Sequence, residues 1–439
     1  MPVVDGSALF GCRLWPGIFP GALRRRTMTG RNNAAMARVK WPCVGPLASH
    51  IDGFAGHLAG EGYAPSTIHE KYGFFADLSS WLEARQIALH TLDEGQLNQF
   101  HATRRSRGRA RRGDAPTALQ LLRYLRDLGC IPTVRQEIDR TPLGDLTRDY
   151  ERFLSSERGL APATLINYLP FVRRFLIERF GSNALRLDEL RPIDIHRFIH
   201  RLAKTMSRRR AQLLVTALRS FLRFLRQRGA IMTDLAVAVP GVANWRLSHL
   251  PRSLAPDQVE RLLASCDRST PTGQRDYAIL LLLARLGLRG GEVIAMSLDD
   301  LDWESGEIIV RGKGQRLARL PLPGDVGVAL VDYLRDSRPS CSTRRVFVRM
   351  IAPWRGFASP VAICSVVRRA LKRAGLDPEF KGAHLLRHSL ATNLLRRGAS
   401  LEEIGQLLRH NQPTTTQIYA KVDIASLRGI ALPWPGAAI

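Results

Sequence analysis

The chain reads Gly287-Leu288-Arg289-Gly290-Gly291-Glu292, then Gly312-Lys313-Gly314, then His384-Leu385-Leu386-Arg387-His388, then Leu408-Arg409-His410, with Tyr419 nine residues further on. These stretches place arginines, a lysine, histidines and a tyrosine in one order near the carboxyl end. Any one of these short motifs alone is a weak signal. Their combination predicts a single site assembled from groups spread over about 130 positions.

Six residues in these stretches resemble the active site of the tyrosine recombinase family, the phage-integrase type of enzyme that breaks and rejoins DNA through a phosphotyrosine link. They are Arg289, Lys313, His384, Arg387, His410 and Tyr419. The resemblance covers roughly residues 250 to 425 and, more loosely, the helical segment before them. It implies that Tyr419 is the nucleophile and that Lys313 protonates the leaving 5′ oxygen. It also implies that His384 accepts the tyrosine proton or orients Arg387, and that His410 hydrogen-bonds the phosphate.

The chemistry of phosphodiester cleavage explains these residue types. Displacing an alkoxide needs a nucleophile, a proton donor and positive groups around a phosphorus that gains negative charge. The phenol of Tyr419 has an ordinary pKa near ~10, so neighbouring groups must draw its proton away during attack. Arg289 and Arg387 suit the two non-bridging oxygens, because a planar guanidinium donates in pairs and keeps its charge.

Lys313 is informative because the chain avoids lysine, with seven lysines against 58 arginines. It is the only lysine between Lys204 and Lys372. A general acid must give up its proton within the reaction, which an ammonium can be tuned to do and a guanidinium cannot readily do. A surface lysine at a turn is the alternative interpretation.

Several neighbours of these residues carry weaker predictions. A lone histidine is more often a core or surface residue, so we expect His388 to pack or cap, with a supporting role in the site as the alternative. Glu292 occupies a position where the family commonly has an acid, and we expect it to orient basic groups. The chain departs from the family pattern at two places: Gly290 and Gly291 stand where bulkier residues are common, and Arg409 stands where glycine is usual. Because glycine is more flexible than other residues, we expect the backbone conformation at both places to differ from that of the family.

The bulk composition agrees with a nucleic-acid partner. Lys plus Arg number 65 against 39 Asp plus Glu, a net charge of +26, so a phosphate-rich polymer is a natural partner, although a ribosomal or merely basic protein is an alternative. The six cysteines have no paired metal-ligand spacing, which favours reduced thiols in a cytoplasm. The longest apolar run, 278–284, is too short to cross a bilayer, which argues against a membrane protein.

A repeat precedes the motifs. Ala64-Pro65-Ser66-Thr67-Ile68 recurs as Ala161-Pro162-Ala163-Thr164-Leu165, and the segment 123–129 recurs as 223–229. Helical apolar spacing runs through both copies, which predicts two bundles of four or five helices. Pro65 and Pro162 should each stand at the start of a helix, where proline needs no amide partner.

The predicted fold is mainly α with a small β-sheet, in which helical DNA-binding domains are followed by a mixed α+β catalytic domain. Its parts are a leader that is disordered or an over-extended start (1–45), a first helical domain (46–135), a core-binding helical domain (145–238), a linker (239–252), the catalytic domain (253–423) and a tail for subunit contact (424–439). Two short strands, 308–310 and 317–320, should place Lys313 at a hairpin tip. Helices are expected from Pro256, over 276–286, and from a capping box at Ser400.

Arginines in the helical domains are candidates for contact with the DNA backbone. The first domain carries six arginines in nine residues with glycine and serine between them, and the second carries three in a row. Like charges held together repel, and phosphate contacts would remove that repulsion, although a solvated loop is the alternative. The candidates are Arg104, Arg105, Arg107, Arg109, Arg111, Arg112, Arg208, Arg209 and Arg210.

The resemblance therefore implies a site-specific recombinase that joins strands through a 3′-phosphotyrosyl intermediate and a Holliday junction. Its partners would be double-stranded DNA, three further copies of the chain in a tetramer, and accessory recombination proteins. No cofactor or metal is expected, because the two arginines and Lys313 already supply positive charge. A type IB topoisomerase and a non-catalytic DNA-binding regulator are the alternatives. The sequence does not distinguish integration, excision, transposition and dimer resolution, nor does it identify the target DNA.

Overall fold

The computed structural model describes residues 43–133, 139–181, 184–243, 252–312, 316–410 and 412–422. Most of the predicted leader, residues 244–251 of the predicted linker, Lys313 and the predicted tail lie outside the described residues. The chain divides into two compact units at 132/133. The second unit contains both the second helical repeat and the segment with the six motif residues.

The described residues of the first unit contain four α-helices: α1 (Ile51–Gly60), α2 (Pro65–Ala84), α3 (Glu94–Ser106) and α4 (Asp114–Asp127). Proline occupies the first turn of α2, as predicted, and the preceding Ala64 gives no side-chain cap. Asp93 and Gln96 form a capping box at the start of α3. The apolar faces of the helices meet in one core, whose fully buried members include Leu58, Phe75, Leu121 and Leu125.

The second unit begins with the same order of helices: α5 (Pro142–Arg152), α6 (Pro162–Phe180), α7 (Pro192–Ala203) and α8 (Arg208–Gln227). The second copy of the repeat thus gives the same kind of bundle, and α6 begins at Pro162, as predicted. Five residues after α5 continue in a π-helical turn. Tyr150, Phe175 and Phe221 lie in a core separate from the one that begins at Leu254.

The segment from residue 252 to 422 contains seven α-helices among its described residues. They are α9 (Pro256–Ala264), α10 (Pro271–Arg285), α11 (Gly290–Ala295), α12 (Gly324–Asp332), α13 (Val361–Arg373), α14 (Ala383–Arg396) and α15 (Leu401–Leu407). The helix predicted over 276–286 in fact begins at Pro271, because the hydroxyl of Thr270 accepts a hydrogen bond from the N–H of Gly273 (3.1 Å). Every residue of 278–284 is buried, so α10 forms the centre of this core.

A small antiparallel sheet stands beside these helices, in the order β1 (Leu301–Asp302), β2 (Glu307–Arg311), β3 (Leu317–Pro321). The two strands predicted on either side of residue 313 are confirmed, with Arg311 paired to Leu317 across the hairpin. The short strand β1 was not predicted. The capping box at the start of α15 is also confirmed: the Ser400 hydroxyl accepts from the N–H of Glu403 at 3.2 Å.

Candidate active site

Arg289 and Glu292 form the first part of the site, at the start of α11. The Glu292 carboxylate accepts from the backbone N–H of Arg289 (2.9 Å) and from its Nη1 (2.7 Å). Burial raises the pKa of Glu292, but the Arg289 N–H bond and the charge of Arg409 outweigh it, so the pKa lies below its usual value. Glu292 is therefore an anion that holds one side of the Arg289 guanidinium, while about a third of that side chain remains exposed.

Arg387, on α14, joins two distant segments of the chain. Its guanidinium donates to the carbonyl oxygens of Gly287 and Leu408, which lie two residues before Arg289 and two before His410. Gly287 has a φ of +58°, and a Cβ there would come within 2.6 Å of the Leu408 side chain, so a side chain at this position would be both strained and crowded. Burial, with the charges of Arg289 and Arg409, lowers the pKa of Arg387 to about 10, which leaves it protonated at neutral pH.

Tyr419 is buried, with 1% of its surface exposed, among Ala391, Ile404 and Leu408. Burial raises the pKa of its phenol to about 12, although the charge of Arg387 acts in the opposite direction. The resting phenol is therefore protonated at neutral pH and must lose its proton during any attack.

His388 is the residue that contacts this phenol. Its Nδ1 lies 2.8 Å from the Tyr419 hydroxyl. Burial, together with His384 and Arg387, lowers the pKa of His388 to about 4, so the ring is neutral at pH 7 and able to accept a hydrogen bond. Of the two expectations for His388, packing or capping and a supporting role in the site, this contact with the phenol favours the second. One signal was available in the sequence: His388 follows His384 by four residues and so shares a face of α14 with it.

The other two histidines surround the same cluster. Burial and the charges of Arg387 and Arg289 lower the pKa of His384, and in the same way the pKa of His410 falls to about 4. Nδ1 of His410 lies 2.8 Å from the hydroxyl of buried Thr416, a contact that sequence reasoning missed. The described residues show no hydrogen bond from His384 to Tyr419.

Five of the six predicted site residues therefore converge, and Lys313 lies outside the described residues. Arg409, one of the departures from the family pattern, also belongs to the cluster, since it pairs with Glu292 at 3.0 Å. The other departure has little local effect. Gly290 and Gly291 have no positive φ, and a Cβ on either would make only ordinary contacts, at 3.5 Å or more.

The arginine-rich stretch of the first unit needs one correction. Arg104 is buried rather than exposed, because its guanidinium pairs with Asp77 and with Asp114 (3.0 Å) and donates to the carbonyl of Arg109 (3.0 Å). The rest of the stretch is exposed and has no carboxylate partner in the described residues: Arg105, Arg107, Arg109, Arg111 and Arg112. We call these five the arginine loop. Arg104 is buried beneath this loop and contacts it through the carbonyl of Arg109.

Arginines at the start of α8 are exposed as well. Arg208, Arg209 and Arg210 all lie on the surface, and the Arg210 guanidinium stacks 5.7 Å from the ring of Phe171. The charge of Arg209 contributes to the lowered pKa of His384. In the described residues, no helix is both long and apolar enough to cross a membrane.

Comparison with known proteins assigns this fold and site to a family. The phage integrase family matches residues 252–425, and the phage integrase N-terminal SAM-like domain matches 148–229. The putative integrase/recombinase y4rA of Sinorhizobium fredii is 47% identical over 402 residues, which cover 90% of this chain and 97% of the relative. The tyrosine recombinase XerD of Listeria innocua is 32% identical, over 66% of this chain and 97% of XerD.

A solved structure shares the fold. The XerH site-specific recombinase, crystallised on its palindromic difH substrate after cleavage, aligns with a TM-score of 0.51 and 19% identity, over 72% of this chain and 94% of XerH. The chain belongs to the phage integrase family of tyrosine recombinases. It is an enzyme of site-specific DNA recombination.

Proposed function

We propose that this recombinase cuts double-stranded DNA by attack of the Tyr419 hydroxyl on a backbone phosphorus. The attack leaves a 3′-phosphotyrosyl bond and a free 5′ hydroxyl. The observation that carries this proposal is the arrangement around Arg387, whose guanidinium ties the segment before Arg289 to the segment before His410. Tyr419 lies close enough for the charge of Arg387 to oppose the rise that burial causes in the pKa of its phenol.

The arginines supply the positive charge that the reaction requires. Glu292 is the carboxylate that forms ion pairs with Arg289 and Arg409, and in the described residues none pairs with Arg387. Three guanidiniums beside one carboxylate leave an excess of positive charge in a largely buried place. A phosphate that gains negative charge during attack would neutralise it, which favours the transition state over the bound substrate.

The proton of Tyr419 must leave as the new P–O bond forms. Ionising a phenol of pKa about 12 at neutral pH before attack would cost about 7 kcal/mol. Nδ1 of the neutral His388 imidazole lies 2.8 Å from this hydroxyl, so the tautomer with its proton on Nε2 accepts from the phenol and is placed to take the proton while the oxygen bonds to phosphorus. We assign this role to His388 rather than to His384, because the contact to the phenol is made by His388.

The departing 5′ oxygen needs a proton in turn. We assign its donor to Lys313, on the strength of its place between β2 and β3 and of the family pattern. A substrate with sulfur in place of that bridging oxygen has a leaving group that needs no proton. Such a substrate should therefore restore cleavage to Lys313→Ala, but not to Arg387→Ala.

Strand exchange follows if the 5′ hydroxyl of a second duplex attacks the phosphotyrosyl bond. No energy-rich cofactor is required, because the covalent bond keeps the phosphodiester energy. We propose that four copies of the chain act on two duplexes through a Holliday junction in a cytoplasm, with accessory proteins. We also propose that the arginine loop contacts the DNA backbone, since its five guanidiniums are exposed and free of carboxylate partners in the described residues.

A covalent trap tests this function. A binding site is first selected from a random duplex pool with the Tyr419→Phe variant. A nick is then placed a few nucleotides from the cleavage point, so that the short piece carrying the new 5′ hydroxyl diffuses away and cannot rejoin. The wild-type chain should accumulate a covalent adduct and Tyr419→Phe should not. If both proteins bind the duplex and neither forms an adduct, the chain is a DNA-binding regulator. With intact duplexes, junctions between two molecules indicate a recombinase, whereas relaxation without junctions indicates a topoisomerase.

A further inference from the structure

Arg409 has an unusual backbone for its residue type. Its φ is +54°, in the left-handed region that glycine occupies freely and other residues rarely adopt. The turn ends α15: the N–H of Arg409 donates to Gln406 O and that of His410 to Gly405 O, both at 2.9 Å. Glycine would fit this turn without strain, so the arginine side chain must have a separate reason to be there.

The side chain of Arg409 turns inward. Its Nη2 donates to Glu292 Oε2 at 3.0 Å, and 13% of the Arg409 side chain and 4% of the Glu292 side chain remain exposed. Nη1 donates to the carbonyl of Leu407 at 3.2 Å. Nε is buried and has no partner in the described residues. A strained backbone and an unsatisfied donor both oppose this conformation, and the ion pair with Glu292 is the contact that offsets them.

Glu292 connects Arg409 to Arg289. The oxygen that accepts from Arg409 also accepts from the Arg289 backbone N–H, and the other oxygen accepts from Arg289 Nη1. Arg409 therefore neutralises the carboxylate that would otherwise neutralise Arg289. It also adds a further hydrogen bond to the Glu292 oxygen that accepts from the Arg289 backbone N–H, and so helps to fix that carboxylate.

We propose that Arg409 is a positioning residue: through Glu292 it holds the Arg289 guanidinium in the orientation that receives a non-bridging oxygen, and it keeps the charge of Arg289 available to that oxygen. This inference rests on the proposed function. Its effect should fall on the rate of bond formation to Tyr419 and not on the affinity for duplex DNA, which many surface cations would share.

The test compares Arg409→Gly with a matched control, Gln86→Gly. Gln86 is the other non-glycine residue of positive φ in the described chain, at +56°, and it lies in the first unit. Both changes relieve the same kind of backbone strain, but only one removes the ion pair. The substrate is the selected duplex with sulfur at the bridging 5′ position. The measurements are the single-turnover rate of adduct formation and, in the Tyr419→Phe background, the affinity for the same duplex.

Arg409→Gly should slow adduct formation on the order of 10-fold and leave duplex affinity within about twofold, while Gln86→Gly changes neither. Arg409→Lys, which keeps the charge, should recover part of the rate. In a Glu292→Gln background, Arg409→Gly should have no further effect, because the path to Arg289 is already broken.

Three outcomes would overturn the inference. A wild-type rate in Arg409→Gly shows that the ion pair does not matter. An equal loss in the Glu292→Gln background shows that Arg409 acts by another route. Loss of duplex affinity in parallel with the rate shows a role in binding or folding. Each of these leaves the proposed function standing, whereas absence of adduct in the wild-type chain removes both.

Discussion

Arg104 in the first unit and Arg387 in the second are both buried, with 7% and 3% of their surfaces exposed, yet their surroundings differ. Arg104 lies between two carboxylates, Asp77 and Asp114. Arg387 donates to two backbone carbonyls, and its nearest charged neighbours include two more guanidiniums. A buried arginine matched by carboxylates is a structural residue, because its removal would leave those carboxylates without a partner. One that is short of negative charge leaves a place for an anion from outside.

The largest effect is expected at Arg387. Arg387→Gln removes charge from the place where the phosphate would sit, so adduct formation should fall about 1000-fold. Arg387→Lys should fall nearly as far, because an ammonium cannot hold the Gly287 and Leu408 carbonyls and a phosphate oxygen together. Single-turnover trapping measures both. A Lys variant close to the wild-type rate would show that charge alone, not the fork of the guanidinium, is required.

Arg104→Met should act on stability and not on chemistry. The change leaves the buried carboxylate of Asp114 without its partner, which destabilises the first unit by about 3 kcal/mol. Amide hydrogen exchange in α3 and α4 of the full chain should accelerate accordingly. Arg104→Met combined with Asp114→Asn should recover part of the protection. A slower rate of adduct formation on bound DNA, with exchange unchanged, would contradict the structural role of Arg104.

The arginine loop should affect binding moderately and without regard to sequence. Replacing its five members by Gln should weaken the affinity for the selected duplex and for an unrelated duplex by the same factor. The slope of log affinity against log salt should become shallower by about 1 for each phosphate that the loop no longer neutralises. Titrations of both duplexes at several salt concentrations measure this. An unchanged slope would show that the loop does not bind the DNA backbone.

The effect of His388 is the smallest at neutral pH, because it appears only in acid. Its pKa in the folded chain is about 4, below the ordinary 6.5, so between these values the unfolded chain takes up a proton that the folded chain does not. Stability is therefore present above pH 6.5 and is lost as the pH falls towards 4, by about 3 kcal/mol from this residue. His388→Gln should lose that part of the pH dependence, while His410 keeps its own. Urea unfolding at pH 7 and pH 4.5 measures the free energy of unfolding of the wild-type chain and of His388→Gln. If this free energy falls by the same amount in both proteins, the prediction is wrong.

Local signals made much of the fold predictable. Pro65 and Pro162 marked helix starts, Ser400 and Glu403 marked a capping box, and short apolar runs on either side of a glycine-bracketed turn marked β2 and β3. These features depend on neighbours a few positions apart. The true start of α10 was missed although its signal is equally local, since the Thr270 hydroxyl caps the helix and Pro271 occupies its first turn.

The site was predictable as a set of residues and not as a set of contacts. The motifs predicted Arg289, Arg387 and Tyr419 as members, but the contact of His388 with Tyr419 joins residues 31 positions apart and needs the packed structure. The pairing of Arg104 with Asp77 was hidden for the same reason, since 27 positions separate them. Composition predicted a charged loop, whereas tertiary contacts decide which of its arginines is internal.

The most direct test of the central claim is the identity of the covalent bond. The trapped adduct is digested with protease and nuclease, and the modified peptide is identified by mass spectrometry. The account predicts a nucleotide joined through its 3′ phosphate to the oxygen of Tyr419. A nucleotide joined to any other residue, or joined through a 5′ phosphate, would contradict it.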